Sequence, residues 1–411
     1  MTRAPIGFWA ASAGAVALST VSLGLASGAH AQNATISDAI GAGKLVLEER
    51  LRYEGVDQAP FARDAQAFTL RTHLGWETGA WQNLKAAVEF EDVRHLAAIH
   101  YNTTINGKTL YPTVAEPDVT ELDRLQLTWT PSSQFSATVG RQRVNLDDQR
   151  FIGAVNWRQD DQTVDAGRLD GSWGKFKATY IYLNKINRTV AQAADWNSNS
   201  HAFAGYYTAS DALKAEAFLF ALDLSQAPTL STETVGGKIS GQTWVSLYQL
   251  SYAASYADQR NYGLNNVHYH VPYWSAELAG TFDIFQAKVN YESLGSNGTK
   301  SFSTPLATLH LWQGWADAFT TTPAKGVDDL NFSATVSPRW KWDYLYNFAF
   351  FVRHHDFSAA RGSGSLGHEW DASAQANITP KLIALIKWAD FEGVPTIASR
   401  RKLWLQLDYN F

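Results

Sequence analysis

Short segments in which apolar and polar residues alternate recur along most of this sequence. In A67-F-T-L-R-T-H-L-G-W-E77, Phe68 and Trp76 share one face of an extended strand, while Arg71 and Glu77 share the other. A helix would need a sustained period of about 3.6 residues, which the sequence does not have. The chain is therefore predicted to be all-β. The same alternation recurs in L84-K-A-A-V-E-F-E91, K175-F-K-A-T-Y-I-Y182, D371-A-S-A-Q-A-N-I378 and K402-L-W-L-Q-L-D-Y-N-F411.

Short and long connections alternate between these segments. Tight periplasmic turns that alternate with long outer loops are typical of antiparallel transmembrane barrels, and the pattern predicts a single-domain barrel of about 18 strands. Residues 232–242 form the weakest predicted strand. The short connections are predicted at 78–81, 131–134, 173–175, 210–211, 241–242, 283–284, 338–341 and 379–381, and the long ones at 55–64, 95–119, 144–160, 185–199, 223–231, 258–268, 295–327, 357–366 and 393–400.

The aromatic content favours a membrane barrel over a soluble sandwich or propeller. Aromatic residues make up 13% of the chain, including 16 Trp, although the mean hydropathy is only −0.24. Trp and Tyr cluster near strand ends, as they do at lipid interfaces. No repeat of about 40 residues indicates propeller blades. The predicted location is the outer membrane of a Gram-negative bacterium, in contact with lipid and lipopolysaccharide.

Both chain ends carry targeting features. An uncharged run from Phe8 to Leu25 precedes Ala29-His30-Ala31, so residues 1–31 are predicted to be a cleaved signal peptide, with an uncleaved anchor as the alternative. Residues 32–42 would form a short periplasmic segment and 43–411 the barrel. Because so few residues precede the first strand, passive transport is expected. The alternation that ends at Phe411 resembles the closing strand that the barrel assembly machinery recognises.

Charge and composition exclude several other functions. The net charge is −5, which makes nucleic acid an improbable partner, and the chain has no Cys. The pairs Asp147-Asp148 and Asp160-Asp161 lack the carboxylate spacing of a dedicated Ca²⁺ loop, so no metal or other cofactor is expected. No G-x-S-x-G motif accompanies the histidines, and the chain is not expected to be an enzyme; a barrel hydrolase is the distant alternative.

One segment concentrates arginines at the start of the third long loop. Its apolar residues Phe151, Ile152, Val155 and Trp157 predict that the loop packs against the inner wall. Arginines in a pore favour anions, and guanidinium binds carboxylate through two hydrogen bonds. The predicted pore residues are Arg141, Arg143, Arg150 and Arg158, and their predicted salt-bridge partners are Asp147, Asp148, Asp160, Asp161 and Asp165. The alternative is a set of salt bridges that braces the wall and binds no ligand.

This segment also carries a family resemblance. G140-R-Q-R, D148-Q-R-F-I-G, N156-W-R-Q and D161-Q-T-V-D165 resemble the alginate-export family of outer-membrane porins, as do E49-R-L-R-Y53 and L311-W-Q-G-W-A-D317. The resemblance spans residues 43–411. It implies an 18-stranded barrel with an electropositive pore for passive export of an anionic polysaccharide. It adds Arg71 and Arg168 to the four pore arginines. Uptake of small carboxylates or sugar acids is the alternative, because the same arginines would serve inward flux.

Overall fold

The computed structural model describes residues 35–411 as a closed antiparallel barrel of 18 strands. The first and last strands close it through an unbroken register from Glu48–Asn410 to Gln58–Arg400. The predicted fold is therefore confirmed. Residues 1–34 lie outside the described part of the chain, and the predicted signal peptide lies among them. Within residues 35–411, no helix is long and apolar enough to cross a membrane.

The strands are 8 to 15 residues long, and each pairs with its neighbours in the chain. A short helix, α1 (Ile36–Gly41), precedes them, and single 3₁₀ turns lie at Gln192–Ala194, Pro228–Leu230 and Leu309–Leu311. The strands are β1 (Lys44–Gln58), β2 (Ala65–Glu77), β3 (Leu84–His95), β4 (Val119–Ser132), β5 (Phe135–Gln142), β6 (Thr163–Trp173), β7 (Phe176–Asn187), β8 (Trp196–Ser210), β9 (Leu213–Leu222), β10 (Thr232–Val245), β11 (Tyr248–Asn261), β12 (His270–Phe282), β13 (Phe285–Leu294), β14 (Val327–Val336), β15 (Tyr346–Ser358), β16 (Ser365–Thr379), β17 (Leu382–Gly393) and β18 (Arg400–Asn410).

Polar and apolar residues lie on opposite faces of each strand, as the period of two predicts. On β1 the alternate residues Arg50, Arg52 and Glu54 are buried inside the barrel. On β3 the side chain of Phe90 is 53% exposed on the opposite, outer face. An apolar outer face and a polar inner face are the arrangement that a lipid-embedded barrel requires.

One predicted turn is wrong. Residues 241–242 lie inside β10, which pairs with β9 and β11, and the turn follows at 246–247. A Cβ at Gly241 would overlap the backbone carbonyl oxygen of Ala212. The glycine thus marks a close approach of neighbouring chains, which a strand tolerates as readily as a turn. Residues 232–242, which were predicted to form a weak strand, all belong to β10.

Gly140 supports a testable prediction about β5. Its φ is +115°, and an added Cβ would clash with the carbonyl oxygen of Leu125. We expect Gly140→Ala to destabilise the folded barrel by about 1–3 kcal/mol, measured by denaturant unfolding. Gly167 on the neighbouring strand has no atom within 4 Å of the Cβ position. Gly167→Ala is therefore the matched control, and an equal loss in both variants would contradict the prediction.

Candidate functional site: a lumen crossed by three loops

The loop between β5 and β6, residues 143–162, lies inside the barrel; we call it inner loop A. Ile152 is buried, and the ring of Phe151 packs 5.0 Å from that of Phe218 on β9. The side-chain amide of Gln159 donates to Thr69 Oγ1 on β2 at 2.8 Å. The apolar residues of this loop predicted the inward fold, because in an exposed loop they would contact water.

A second loop, residues 295–326 between β13 and β14, also folds into the barrel; we call it inner loop B. It meets inner loop A through a parallel bridge between Ile152 and Leu306, and the amide of Gly153 donates to the Leu306 carbonyl at 2.8 Å. Its own anchors are acidic wall residues: the amide of Ala316 donates to Glu369 at 2.7 Å. The two loops together cross the middle of the lumen.

A third loop, residues 96–118 between β3 and β4, covers the inner side of β1 and β2; we call it inner loop C. Tyr101 and Val114 pack on Val56 and Ala67. The carboxylate of Glu116 accepts a hydrogen bond of 3.0 Å from the amide of Gln159. Inner loop C therefore connects inner loop A to β1 and β2.

Arg143 and Arg150, both on inner loop A, are held by wall carboxylates. The Arg143 guanidinium contacts Glu89, lies 2.5 Å from Asp123 and lies 2.9 Å from Asp161. Arg150 is fully buried, with its Nε 2.5 Å from Glu292. A buried charge is stable only when it is paired, so these contacts fasten the loop to β3, β4 and β13.

Arg158 is the inner-loop arginine with the loosest pairing. Its guanidinium lies 3.5 Å from Asp317, 3.6 Å from Glu116 and 3.9 Å from Glu54. Its Nη1 has no hydrogen-bond partner among residues 35–411. Arg158 Nη2 donates a long hydrogen bond to Asp317, whereas the contacts of the buried Nη1 with Glu54 and Glu116 are attractions between charges.

The two additional arginines of the resemblance lie on the inner wall. Arg71 on β2 is 3.3 Å from Asp161 and 3.7 Å from Glu48. Arg168 on β6 pairs with Asp170 of the same strand at 2.7 Å and is partly exposed. Of these two, Arg168 is the more accessible from the lumen.

Arg141 differs from its predicted position. The register of β5 with β4 and β6, which is continuous from Ala137 to Arg141, places it on the same face as Val139, which is 60% exposed on the outside of the barrel. It pairs there with Asp165, Nε to Oδ1 at 2.7 Å, and donates to the Leu122 carbonyl. Because β5 ends at Gln142, the chain turns inward only after Arg141.

The predicted carboxylate partners also divide. Asp161 pairs with arginines, whereas Asp147 and Asp148 both bind Lys238 of β10 at 2.6 Å. Asp160 accepts from the amide of Ala191 at 3.4 Å and contacts no Arg or Lys among residues 35–411. Asp147 and Asp148 thus pair with the wall, whereas Asp161 pairs both with Arg143 of its own loop and with Arg71 of the wall.

A cluster of aromatic rings and cations lies where inner loops A and B meet β17 and β18. The rings of Trp157 and His310 stack at 4.4 Å, and Lys387 Nζ lies 3.9 Å and 3.7 Å from the ring centres of Trp157 and Trp315. Asp317 binds Lys402 at 2.6 Å. A cation over an aromatic face is stabilised without a carboxylate partner.

Burial and neighbouring charge shift the pKa values of two groups in this cluster. Burial opposes ionisation of Asp317, but Lys402, His310 and Arg158 outweigh it and hold its pKa well below the ordinary value. Burial and then Lys387 hold the pKa of His310 well below its ordinary value, so the imidazole is neutral. Asp317 is therefore the anionic centre that fastens inner loop B to β18.

Comparison with known proteins decides the family. A model of the alginate export family matches residues 47–268, just over half of the chain. The chain belongs to the alginate export family. Among curated proteins, none matches this sequence. Family and barrel together make this an outer-membrane porin-like channel of a Gram-negative bacterium.

Solved structures similar to this alginate export family member are outer-membrane porins. The Pseudomonas aeruginosa OpdK structure with vanillate has a TM-score of 0.69 at 11% identity and covers 90% of this chain and 99% of its own. Acinetobacter baumannii OccAB2 has a TM-score of 0.72 at 15% identity and covers 91% and 98%. At these identities the likeness shows a shared fold.

Sequence reasoning missed several residues of the lumen in this family member. Lys387 is not among the predicted pore residues, and residues 295–327 are predicted only as a long connection. One signal was available: L311-W-Q-G-W-A-D317 carries two Trp in a long loop, which indicates burial as clearly as Phe151 and Trp157 do in inner loop A.

Proposed function

We propose that this protein is a passive diffusion channel for anions that carry carboxylates, and that its solute is an anionic polysaccharide such as alginate leaving the cell. The supporting observation is a basic stripe on four adjacent strands. Because β17, β18, β1 and β2 are neighbours in the closed sheet, their inward cations lie side by side on the inner wall, where all of them are buried. The stripe consists of Lys387, Lys402, Arg50, Arg52 and Arg71.

Unused hydrogen-bond donors add to this support. Nη1 and Nη2 of Arg52 and Nη1 of Arg158 are without hydrogen-bond partners among residues 35–411. Arg52 Nη1 lies 3.7 Å from Glu116, too far for a hydrogen bond. These donors are buried, so they attract a carboxylate-bearing anion through their charge and not by direct contact. Arg143, Arg150 and Arg168 contribute charge to the same field while their own donors are held by Glu89, Glu292 and Asp170.

Ion selectivity tests this proposal. We expect Arg158→Ala to lower the anion-to-cation permeability ratio about fivefold, because roughly 1 kcal/mol of attraction is lost when one charge leaves the pore. The measurement is the reversal potential of single channels in a planar bilayer under a salt gradient. Arg141→Ala is the control, since that arginine pairs with Asp165 on the outer face. A cation-selective wild type, or equal ratios in wild type and both variants, would contradict the proposal.

Uptake of small carboxylates is the second candidate. The bridge between Ile152 and Leu306 ties two loops across the lumen, which favours a small solute over a bulky chain. OpdK, which shares the fold, was solved with vanillate. Radiolabelled solute flux into liposomes separates the two functions: oligouronate flux with little vanillate or sugar-acid flux supports export, and the reverse supports uptake.

Two further proposals concern the chain ends. We propose that residues 1–31 are removed as a signal peptide and that the assembly machinery recognises Phe411. Phe411 is 61% exposed, and its amide donates to the Leu47 carbonyl at 3.0 Å. Mass spectrometry of the mature chain tests the cleavage, and membrane insertion of a Phe411→Ala variant tests the recognition.

A further inference from the structure

Three lysines face the lumen at the end of the barrel where the short turns lie; we call them the rim lysines. Lys85, Lys177 and Lys214 are each the second residue of their strand, β3, β7 and β9. Lys85 shares its strand face with the buried Glu89, four residues further on. Lys214 shares its face with the buried Phe218 in the same way. Short turns mark the periplasmic end of an outer-membrane barrel, so the rim lysines line its periplasmic mouth.

The rim lysines have no acidic partner. Their neighbours in the sheet register carry hydroxyl groups instead of carboxylates. These neighbours are Thr128, Ser172, Tyr206, Thr208 and Ser240. Among residues 35–411, no Asp or Glu oxygen lies within 4.0 Å of any of the three ammonium groups. All three residues are exposed, so each ammonium group is available to a solute.

Inward carboxylates near the same end have cationic partners of their own. The pairs are Glu77 with Arg124 at 2.9 Å, Asp170 with Arg168 at 2.7 Å and Glu277 with Lys288 at 3.0 Å. A carboxylate in such a pair attracts a second cation only weakly, because its charge is already compensated. These three carboxylates therefore do not offset the charge of the rim lysines.

Accessibility separates the rim lysines from the basic stripe. Lys402 and Arg52 of the stripe are 4% and 1% exposed, whereas the rim lysines are exposed. A solute in the lumen is attracted by the stripe through its charge alone. At the rim, a solute carboxylate can contact the ammonium groups directly.

The spacing of the rim lysines favours a polymer. Neighbouring strands are about 4.8 Å apart, so Lys177 and Lys214, two strands apart, are separated by about 10 Å along the wall. Lys85 lies four strands from Lys177, which is about 19 Å. A small carboxylate reaches one of these groups at a time. A chain with a carboxylate on each sugar can contact two or more at once, which strengthens its binding without any new kind of contact.

We propose that the rim lysines are the site at which an anionic polysaccharide with one carboxylate per sugar first binds the channel, from the periplasmic side. The inference rests on the proposed anion channel and adds the end at which the polymer enters. Unpaired charge at a mouth raises the rate at which an oppositely charged solute arrives. Because a lysine ammonium is a flexible point charge, it can hold a carboxylate without fixing its geometry, which allows the chain to move on.

Single-channel block by a polyuronate oligomer tests the site. The oligomer would be added to one compartment of a planar bilayer and then to the other, in about 0.1 M KCl, where the Debye length is about 10 Å. We expect the combined variant Lys85→Gln, Lys177→Gln and Lys214→Gln to lower the rate of block from one side about tenfold and to leave the other side unchanged. In about 1 M KCl, where the Debye length is about 3 Å, the difference from wild type should disappear.

The matched control removes three lysines from the turns at the same end. Lys175, Lys341 and Lys381 lie between strands and are exposed. Replacing all three with Gln changes the net charge equally, and we expect it to change the rate of block less than about twofold. The uronate monomer should also distinguish wild type from the rim variant by less than about twofold, because it contacts one lysine at a time.

The outcomes separate the rim site from the proposed function. If the channel is anion-selective but the rim variant is blocked as fast as wild type, the rim site is wrong and the anion channel stands. An equal loss in the control variant would show that only total charge matters, which also overturns the site. A monomer as sensitive to the rim variant as the oligomer would overturn the preference for a polymer. Absence of oligomer block from either side would contradict both the rim site and the proposed polysaccharide.

Discussion

Replacing Glu292 with alanine is expected to destabilise the barrel by about 3–5 kcal/mol, the cost of leaving a buried charge without its partner. Arg150 is fully buried, its Nε lies 2.5 Å from Glu292, and its next polar contact is Thr304 Oγ1 at 3.3 Å. Glu292 also accepts from the Tyr273 hydroxyl at 2.9 Å. Denaturant unfolding followed by tryptophan fluorescence measures the loss.

Glu277→Ala is the matched control for this prediction. Glu277 on the neighbouring strand pairs with Lys288 at 3.0 Å, but both side chains are about one-third exposed. Partly exposed pairs contribute about 0–1 kcal/mol. A loss in Glu292→Ala as small as that in Glu277→Ala would show that Arg150 does not depend on Glu292.

Asp317→Ala is expected to release inner loop B and to lower the free energy of unfolding by about 3 kcal/mol or more. The change leaves Lys402 without its partner at 2.6 Å and removes the acceptor of His310 at 2.9 Å. Since Asp317 also lies 3.5 Å from Arg158, that guanidinium would be freed as well. Hydrogen exchange should show faster exchange across residues 295–326, and single channels should show noisier conductance.

Asp390→Ala is the control for Asp317→Ala. Asp390 pairs with the exposed Arg401 at 3.2 Å on the outside of the barrel. Its loss should leave exchange in residues 295–326 unchanged. If Asp317→Ala showed wild-type exchange there, the loop would be held by its apolar contacts alone, for instance by Trp315 against Phe351.

The predictions for Glu292→Ala and Asp317→Ala both remove a carboxylate that holds an inner loop in the lumen. Acidic wall residues on β13 and β16 hold inner loops A and B, whereas the basic stripe faces Asp317 and Glu116 from the other side. Most charges of the wall therefore position the loops. Among residues 35–411, Arg52 and Arg158 are two of the arginines with guanidinium nitrogens that make no hydrogen bond, and they contribute to the proposed anion selectivity.

Much of this arrangement could be predicted because strands impose a strict period. The alternation in β1 and β2 placed Arg71 and His73 inside and Phe68 and Trp76 outside. The position of inner loop A followed from Phe151 and Ile152, which are too apolar for an exposed loop. Loop and turn lengths predicted the strand number, since each segment that spans a membrane needs about 9–11 residues.

Charge pairing could not be predicted, because it depends on which strands face each other across the lumen. Asp147 and Asp148 are sequence neighbours of Arg150, yet they bind Lys238, and Arg150 binds Glu292, 142 residues away. Likewise Arg141 and Arg143 are two residues apart, but β5 ends between them, so one lies outside the wall and the other inside.

The sequence by itself determined the barrel, the side of the wall that the alternating strand residues face, with Arg141 as an exception, and the inward fold of inner loop A, because these follow from local period and hydrophobicity. Only the tertiary structure decided that inner loop B also crosses the lumen and which arginines keep free donors. Those features arise from closure of the sheet, which brings β1 against β18 and opposite walls within reach of the same loops.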